Sequence, residues 1–117
     1  MALPKAAVTL VPLGQQKDYE IYPGMPDDKE LEISVANQDT GHWYCKTQRF
    51  VVLTVHPKEF GADVPYPFYR KFPDPDNFDL AYEVNTGPAR PEAKGYEYKA
   101  TFKFEDGTVL DPHIRIT

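Results

Sequence analysis

Apolar and polar positions alternate by two along most of this chain and show almost no spacing by three and four, a period that argues for strands over helices. The segment 96–105 is the clearest case. Tyr96, Tyr98, Ala100, Phe102 and Phe104 fall on one face, and Glu97, Lys99, Thr101, Lys103 and Glu105 on the other. Successive strand side chains point to opposite sides, so this strand has one dry face and one wet face. Asp106-Gly107 follows directly, a hairpin signal because glycine takes positive φ without steric cost. The return strand reads as 108–110 and continues through Ile114 and Ile116. Asp111-Pro112 interrupts it, and the expectation there is a bulge or an edge position, because proline has no N–H to donate.

The same alternation recurs upstream. Leu31, Ile33 and Val35 alternate with Glu32, Ser34 and Ala36, and the N-Q-D-T-G run at 37–41 is a turn cluster. Residues 42–47 place Trp43 and Cys45 on one face and His42, Tyr44 and Lys46 on the other. Tyr19 and Ile21 mark a strand around 17–23, and 78–85 offers Phe78, Leu80, Tyr82 and Val84 to the core. Segment 6–13 reads as a first strand. Prolines punctuate the map, with Pro12, Pro23, Pro26, Pro57, Pro73, Pro75, Pro88 and Pro91 at or near segment ends.

These elements predict an all-β fold: a two-layer antiparallel β-sandwich of about seven or eight strands, forming one domain over 1–117. In strand number and alternation it resembles immunoglobulin-like and fibronectin-like sandwiches in general architecture. The inter-sheet cysteine pair with a tryptophan between is missing, since Cys45 stands alone two residues past Trp43.

Two stretches depart from a plain sandwich. Segment 50–55 (F-V-V-L-T-V) is apolar on both faces, which predicts a strand covered on both sides, by the chain's own loop or by a second subunit. The stretch 57–77 is long for a structureless connection, so a short strand or turn is expected inside it, near 68–72. It carries Phe60, Tyr66, Phe68, Tyr69, Arg70 and Phe72. Tyrosine and arginine in particular are enriched at binding hot spots, while aromatics in a loop equally serve to cap a core. Tyr66, Phe68, Tyr69, Arg70 and Phe72 are therefore the candidate binding residues.

Composition narrows the function classes. A chain of 117 residues, 41% hydrophobic and 26% charged, has the balance of a globular domain able to bury roughly two thirds of its unfolded surface. A single cysteine cannot close an internal disulfide, so no oxidising compartment is implied. The apolar N-terminal stretch has one cation, Lys5, and is interrupted by Pro12. A strand suits it better than a leader peptide, and no run approaches the roughly 20 apolar residues of a membrane span. The expectation is a cytoplasmic protein with no membrane association. Net charge is −5 and the densest basic patch is Arg70-Lys71, which does not neutralise phosphates, so nucleic acid is not an expected partner.

Chemistry-bearing residues are sparse. Ser34, the chain's one serine, sits mid-strand on a polar face without a nucleophile turn. Cys45 beside Trp43 faces inward, where a thiol behaves as a small hydrophobe. His42 and Cys45 are three apart and point to opposite faces of a strand, so one metal ion cannot take both. Asp74, Asp76 and Asp79 lack the glycine and the ligand spacing of a calcium loop. No glycine-rich phosphate loop is present. The reading names no catalytic residue, no cofactor and no metal. It favours a non-enzymatic protein-interaction module, with a protein partner or self-association through 50–55. One alternative is a small-ligand or carbohydrate-binding domain stacking its ligand on Trp43, Tyr44 and the loop tyrosines. The other is a metal-binding protein or metal-dependent enzyme built on the histidines and the acidic loop.

Overall fold

The computed structural model describes residues 14–26, 30–59, 63–74 and 79–117. The predicted strand 6–13, Phe60, Phe78, and the calcium candidate Asp76 lie outside them. Eight strands form: β1 Gln16–Glu20, β2 Glu30–Ile33, β3 Thr40–Tyr44, β4 Phe50–Pro57, β5 Glu83–Pro88, β6 Glu97–Phe104, β7 Val109–Leu110 and β8 His113–Ile116. One sheet has the order β1-β3-β5; the other has β2-β8-β6-β4, with β7 continuing beside β6. The two sheets pack together as a β-sandwich. Not every pairing is antiparallel, however. β1 runs parallel to β3 and β2 parallel to β8, so the sheets are mixed. Alternation reveals which side chains face inward, not the direction of the neighbouring strand.

The dry face predicted for β6 forms the centre of the core. Tyr98, Ala100, Phe102 and Phe104 are buried there with Phe50, Val52 and Val55 of β4, Leu31 and Ile33 of β2, and Ile114 and Ile116 of β8. Trp43 enters from the other sheet. Its ring meets Phe102, Phe72 and Phe68 edge-on at centroid separations of 5.0, 5.8 and 6.5 Å, the arrangement that aromatic quadrupoles favour. Tyr96 does not join this face. It stands one residue before β6 and donates its N–H to Ala93 O, in the turn after the short 3-10 helix Pro91–Ala93, which leaves the ring 40% exposed.

β4 explains its own ambiguous sequence. Val52 pairs with Phe102 and Thr54 with Thr101, so a bulge at Leu53 shifts the register by one residue. Inward positions are Phe50, Val52 and Val55, while Val51 and Leu53 are half-buried and Thr54 is exposed. An extra residue breaks strict alternation and bends the strand. Val51 and Leu53 on the outward side are half-buried, so the described residues cover that face only in part.

A second correction concerns 78–85. Ala81 forms an antiparallel bridge with Phe50 and exchanges both backbone hydrogen bonds with it, each at 2.9 Å. That pairing turns Ala81 inward and its neighbours outward, so Leu80 and Tyr82 are exposed. Val84 does face inward, opposite Trp43.

The C-terminal hairpin forms as expected, with Gly107 at φ +89° and its N–H on Phe104 O. Pro112 causes no bulge. Leu110 lies opposite Phe102 and His113 opposite Lys99, so equal numbers of residues separate the pairs on both strands. Ala100 N–H donates to Pro112 O at 3.0 Å, and only the bond that proline cannot donate is missing.

The turn between β2 and β3 is built on a buried carboxylate. Asp39 accepts N–H bonds from Gln15 and Ser34, each at 3.1 Å. Gln38 takes φ +57°, and Gly14, at φ +92°, packs so closely that a Cβ would lie 2.2 Å from Asn37 O.

Candidate functional site

The described part of the aromatic loop that the sequence singled out is held at several points. Tyr98 Oη donates to Pro65 O at 2.6 Å, and Tyr66 Oη accepts the Phe72 N–H at 2.7 Å. Arg90 N–H donates to Pro67 O at 2.8 Å, and Phe68 forms an isolated bridge with Ala89. Arg70 donates to Asn85 O at 2.7 Å and to Asp74 Oδ2 at 3.2 Å, and its guanidinium lies 4.9 Å from the centroid of Phe72. Burial raises the phenol pKa of Tyr66 above its ordinary value.

The five candidate binding residues therefore divide. Phe68 and Phe72 are buried and cap the core against Trp43. Tyr66 and Arg70 are half-buried, Tyr66 held within the loop and Arg70 tying the loop to Asn85 of β5. Tyr69, between the two anchors, is 64% exposed, more than any other large apolar side chain among the described residues.

Beside Tyr69 lies an open groove of about 400 Å³, within the range of ligand sites. Pro88, Ala89 and Pro91 line it from the end of β5 and the turn beyond. Val35, Gln38 and Thr40 line it from the turn before β3 and its first residue. The pairing Thr40↔Pro88 brings these segments together. The sequence marks Gln38 and Thr40 only as part of a turn cluster and Pro88 only as a segment end, because the groove arises from three segments distant along the chain.

A second surface lies on the outer face of the larger sheet. The Phe50–Ala81 bridge sets Leu80 opposite Val51, Val51 pairs with Lys103, and Lys103 with Val109. These side chains form a row across four segments, roughly 14 Å wide at 4.8 Å per strand. Leu80 and Val109 are exposed, and Leu53 and Tyr82 flank the row.

His42 lies on the outer face of the smaller sheet, with Nδ1 2.9 Å from Asp18 on β1 and Nε2 3.0 Å from Glu83 on β5. Hydrogen bonds from Gln16 and then from His42 lower the Asp18 pKa. The two carboxylates flank opposite nitrogens, so they do not converge on one point, and no metal-binding group of His, Cys, Asp and Glu occurs among the described residues. Cys45 is buried on the other face, with Sγ 3.5 Å from Thr47 Oγ1. Ser34 lies just past β2, where its Oγ accepts the Asn37 N–H at 3.2 Å. Trp43 is fully buried and cannot act as a stacking platform, and Tyr44 is stacked on His42 at 5.4 Å.

The fold and these surfaces define a small β-sandwich protein, and no helix among the described residues is long and apolar enough to cross a membrane. No protein-family model, curated protein or solved structure matches the chain.

Proposed function

We propose that this chain is a non-enzymatic interaction module that binds a protein partner at the groove beside Tyr69. One observation carries the reading: the most exposed aromatic side chain among the described residues lies on a groove of ligand size while the residues around it are tied down. Phe68 and Phe72 are buried on either side, and Arg70 fixes the backbone of β5. An aromatic anchor on a held loop loses little conformational entropy on binding, which is how hot-spot residues act. Of the candidate residues, Tyr69 makes the contact, and Tyr66, Phe68, Arg70 and Phe72 hold its loop in place. Selection of peptides from a random library on the wild-type protein tests this. The expected result is an enriched set that no longer binds Tyr69→Ala; enrichment of peptides indifferent to that substitution contradicts it.

Self-association is the second reading, carried by the row from Leu80 to Val109. A stable dimer buries about 800 Å² per partner, roughly 20–30 residues a side, and a row of four side chains supplies only a fraction of that. The reading is therefore of a weak dimer, abolished by Val51→Asp. Native mass spectrometry showing only monomer at millimolar concentration contradicts it.

A further inference from the structure

We infer that His42 is a protonation-dependent clasp on the smaller sheet: as the imidazolium it ties β1 to β5 across β3, and loss of its proton frees the β5 side. The clasp stands apart from the Tyr69 groove and does not depend on what binds there.

Strand register brings the parts together. His42 is the middle residue of β3, with Asp18 opposite it on β1 and Asn85 opposite it on β5, and Glu83 lies opposite Tyr44 two residues along. Nδ1 stands 2.9 Å from Asp18 Oδ1, and Nε2 stands 3.0 Å from Glu83 Oε1, both within N–H···O range. An ionised carboxylate accepts hydrogen bonds and donates none, while a neutral imidazole has one N–H and the imidazolium has two. A carboxylate on each ring nitrogen therefore matches the imidazolium. Further side-chain bonds extend the tie: Gln16 Nε2 donates to the same Asp18 oxygen at 3.0 Å, and Asn85 Nδ2 donates to Gln16 Oε1 at 3.4 Å. Tyr44 holds the ring from β3 itself, stacked with centroids 5.4 Å apart. Among the described residues, the titratable groups facing the ring are thus Asp18, Glu83 and Tyr44. Lys46, the next outward residue past Tyr44, pairs with a different carboxylate, Glu20, at 4.0 Å.

Deprotonation breaks the symmetry of the clasp. One nitrogen then turns its lone pair toward a carboxylate oxygen at hydrogen-bond distance, and negative charge faces negative charge. The two sides are not equivalent. Asp18 is anchored by Gln16, and hydrogen bonds from Gln16 and then from His42 hold its carboxyl below the ordinary aspartate range. Glu83 is 73% exposed and can turn into water, giving up one weak surface contact. The neutral ring therefore keeps its proton on Nδ1, donated to Asp18, and Nε2 lets Glu83 go. The stability that the clasp adds is fully present below the ordinary imidazole pKa near 6.5 and is lost as pH rises beyond it. At the acid end it is lost as the carboxylates gain protons.

Thermal unfolding of the wild type and of Glu83→Gln, at about pH 5.5 and about pH 8.5, tests this. Glutamine keeps the shape of the side chain, removes its charge and can donate to a neutral ring. Titration of His56 and His113 is common to both proteins and cancels in the difference. The wild type should melt about 2–4 °C above the variant at the lower pH, and the two should agree within about 1 °C at the higher. No gap at the lower pH, or a gap that persists or widens at the higher, overturns the inference. Nitrogen-15 spectra of the imidazole rings give a second readout. At the higher pH, the proton of His42 should sit on Nδ1; a proton on Nε2 would show that Asp18, not Glu83, is the side released, and would overturn it as well.

Discussion

At the scale of single residues, two neighbours on β6 separate core from surface. Phe102 is fully buried against Trp43 and Phe50, and Lys103 faces outward. Phe102→Ala should cost about 3–5 kcal/mol in denaturant unfolding, and Lys103→Ala within about 0.5 kcal/mol; similar costs would refute the register. Tyr98 offers an independent check. Burial, and after it the neighbouring Tyr96, pushes its phenol up to about 12. The neutral phenol therefore stabilises the fold fully below the ordinary tyrosine pKa near 10. That contribution is lost as pH rises from there towards 12. A spectrophotometric titration should show one of the eight tyrosines ionising last, and Tyr98→Phe should remove that late step. Tyr98, Phe102 and Phe104 were legible as core because the alternation at β6 is unbroken. Leu80 and Tyr82 were misread because one backbone bridge, Ala81 to Phe50, sets their direction, and no local pattern encodes a bridge.

At the scale of elements, irregularities decide what the pattern leaves open. The β4 bulge turned an apparently two-faced strand into one with a single buried face, since an inserted residue resets the alternation beyond it. The β2–β3 turn depends on Asp39, whose carboxylate joins the chain before β1 to the end of β2. Asp39→Ala leaves the N–H groups of Gln15 and Ser34 without this acceptor. Because the carboxylate is buried, the substitution should destabilise the protein by about 1–3 kcal/mol, and faster hydrogen exchange should be confined to those two amides and their neighbours. Uniformly unchanged exchange would show that the turn holds without its carboxylate. In sequence, Asp39 was one more polar residue in a turn cluster. Its burial follows from β1 lying beside β3, a parallel pairing that alternation does not announce.

At the scale of the whole molecule, two surfaces emerge where the sequence suggested two regions, though their content changed. The aromatic loop keeps one exposed ring and turns two others into anchors, because Phe68 and Phe72 close the core over Trp43. The apolar surplus of β4 becomes a narrow outward row rather than a buried layer. The groove itself was invisible in the sequence, since strand register assembles it from three separate segments. Its role in binding is the central claim, and amide chemical-shift mapping with a selected peptide on the folded protein tests it most directly. Shifts centred on Tyr69, Gln38, Thr40 and Ala89, absent in Tyr69→Ala, are the expected result; shifts centred instead on Val51, Lys103 and Val109, across the other sheet, would contradict it.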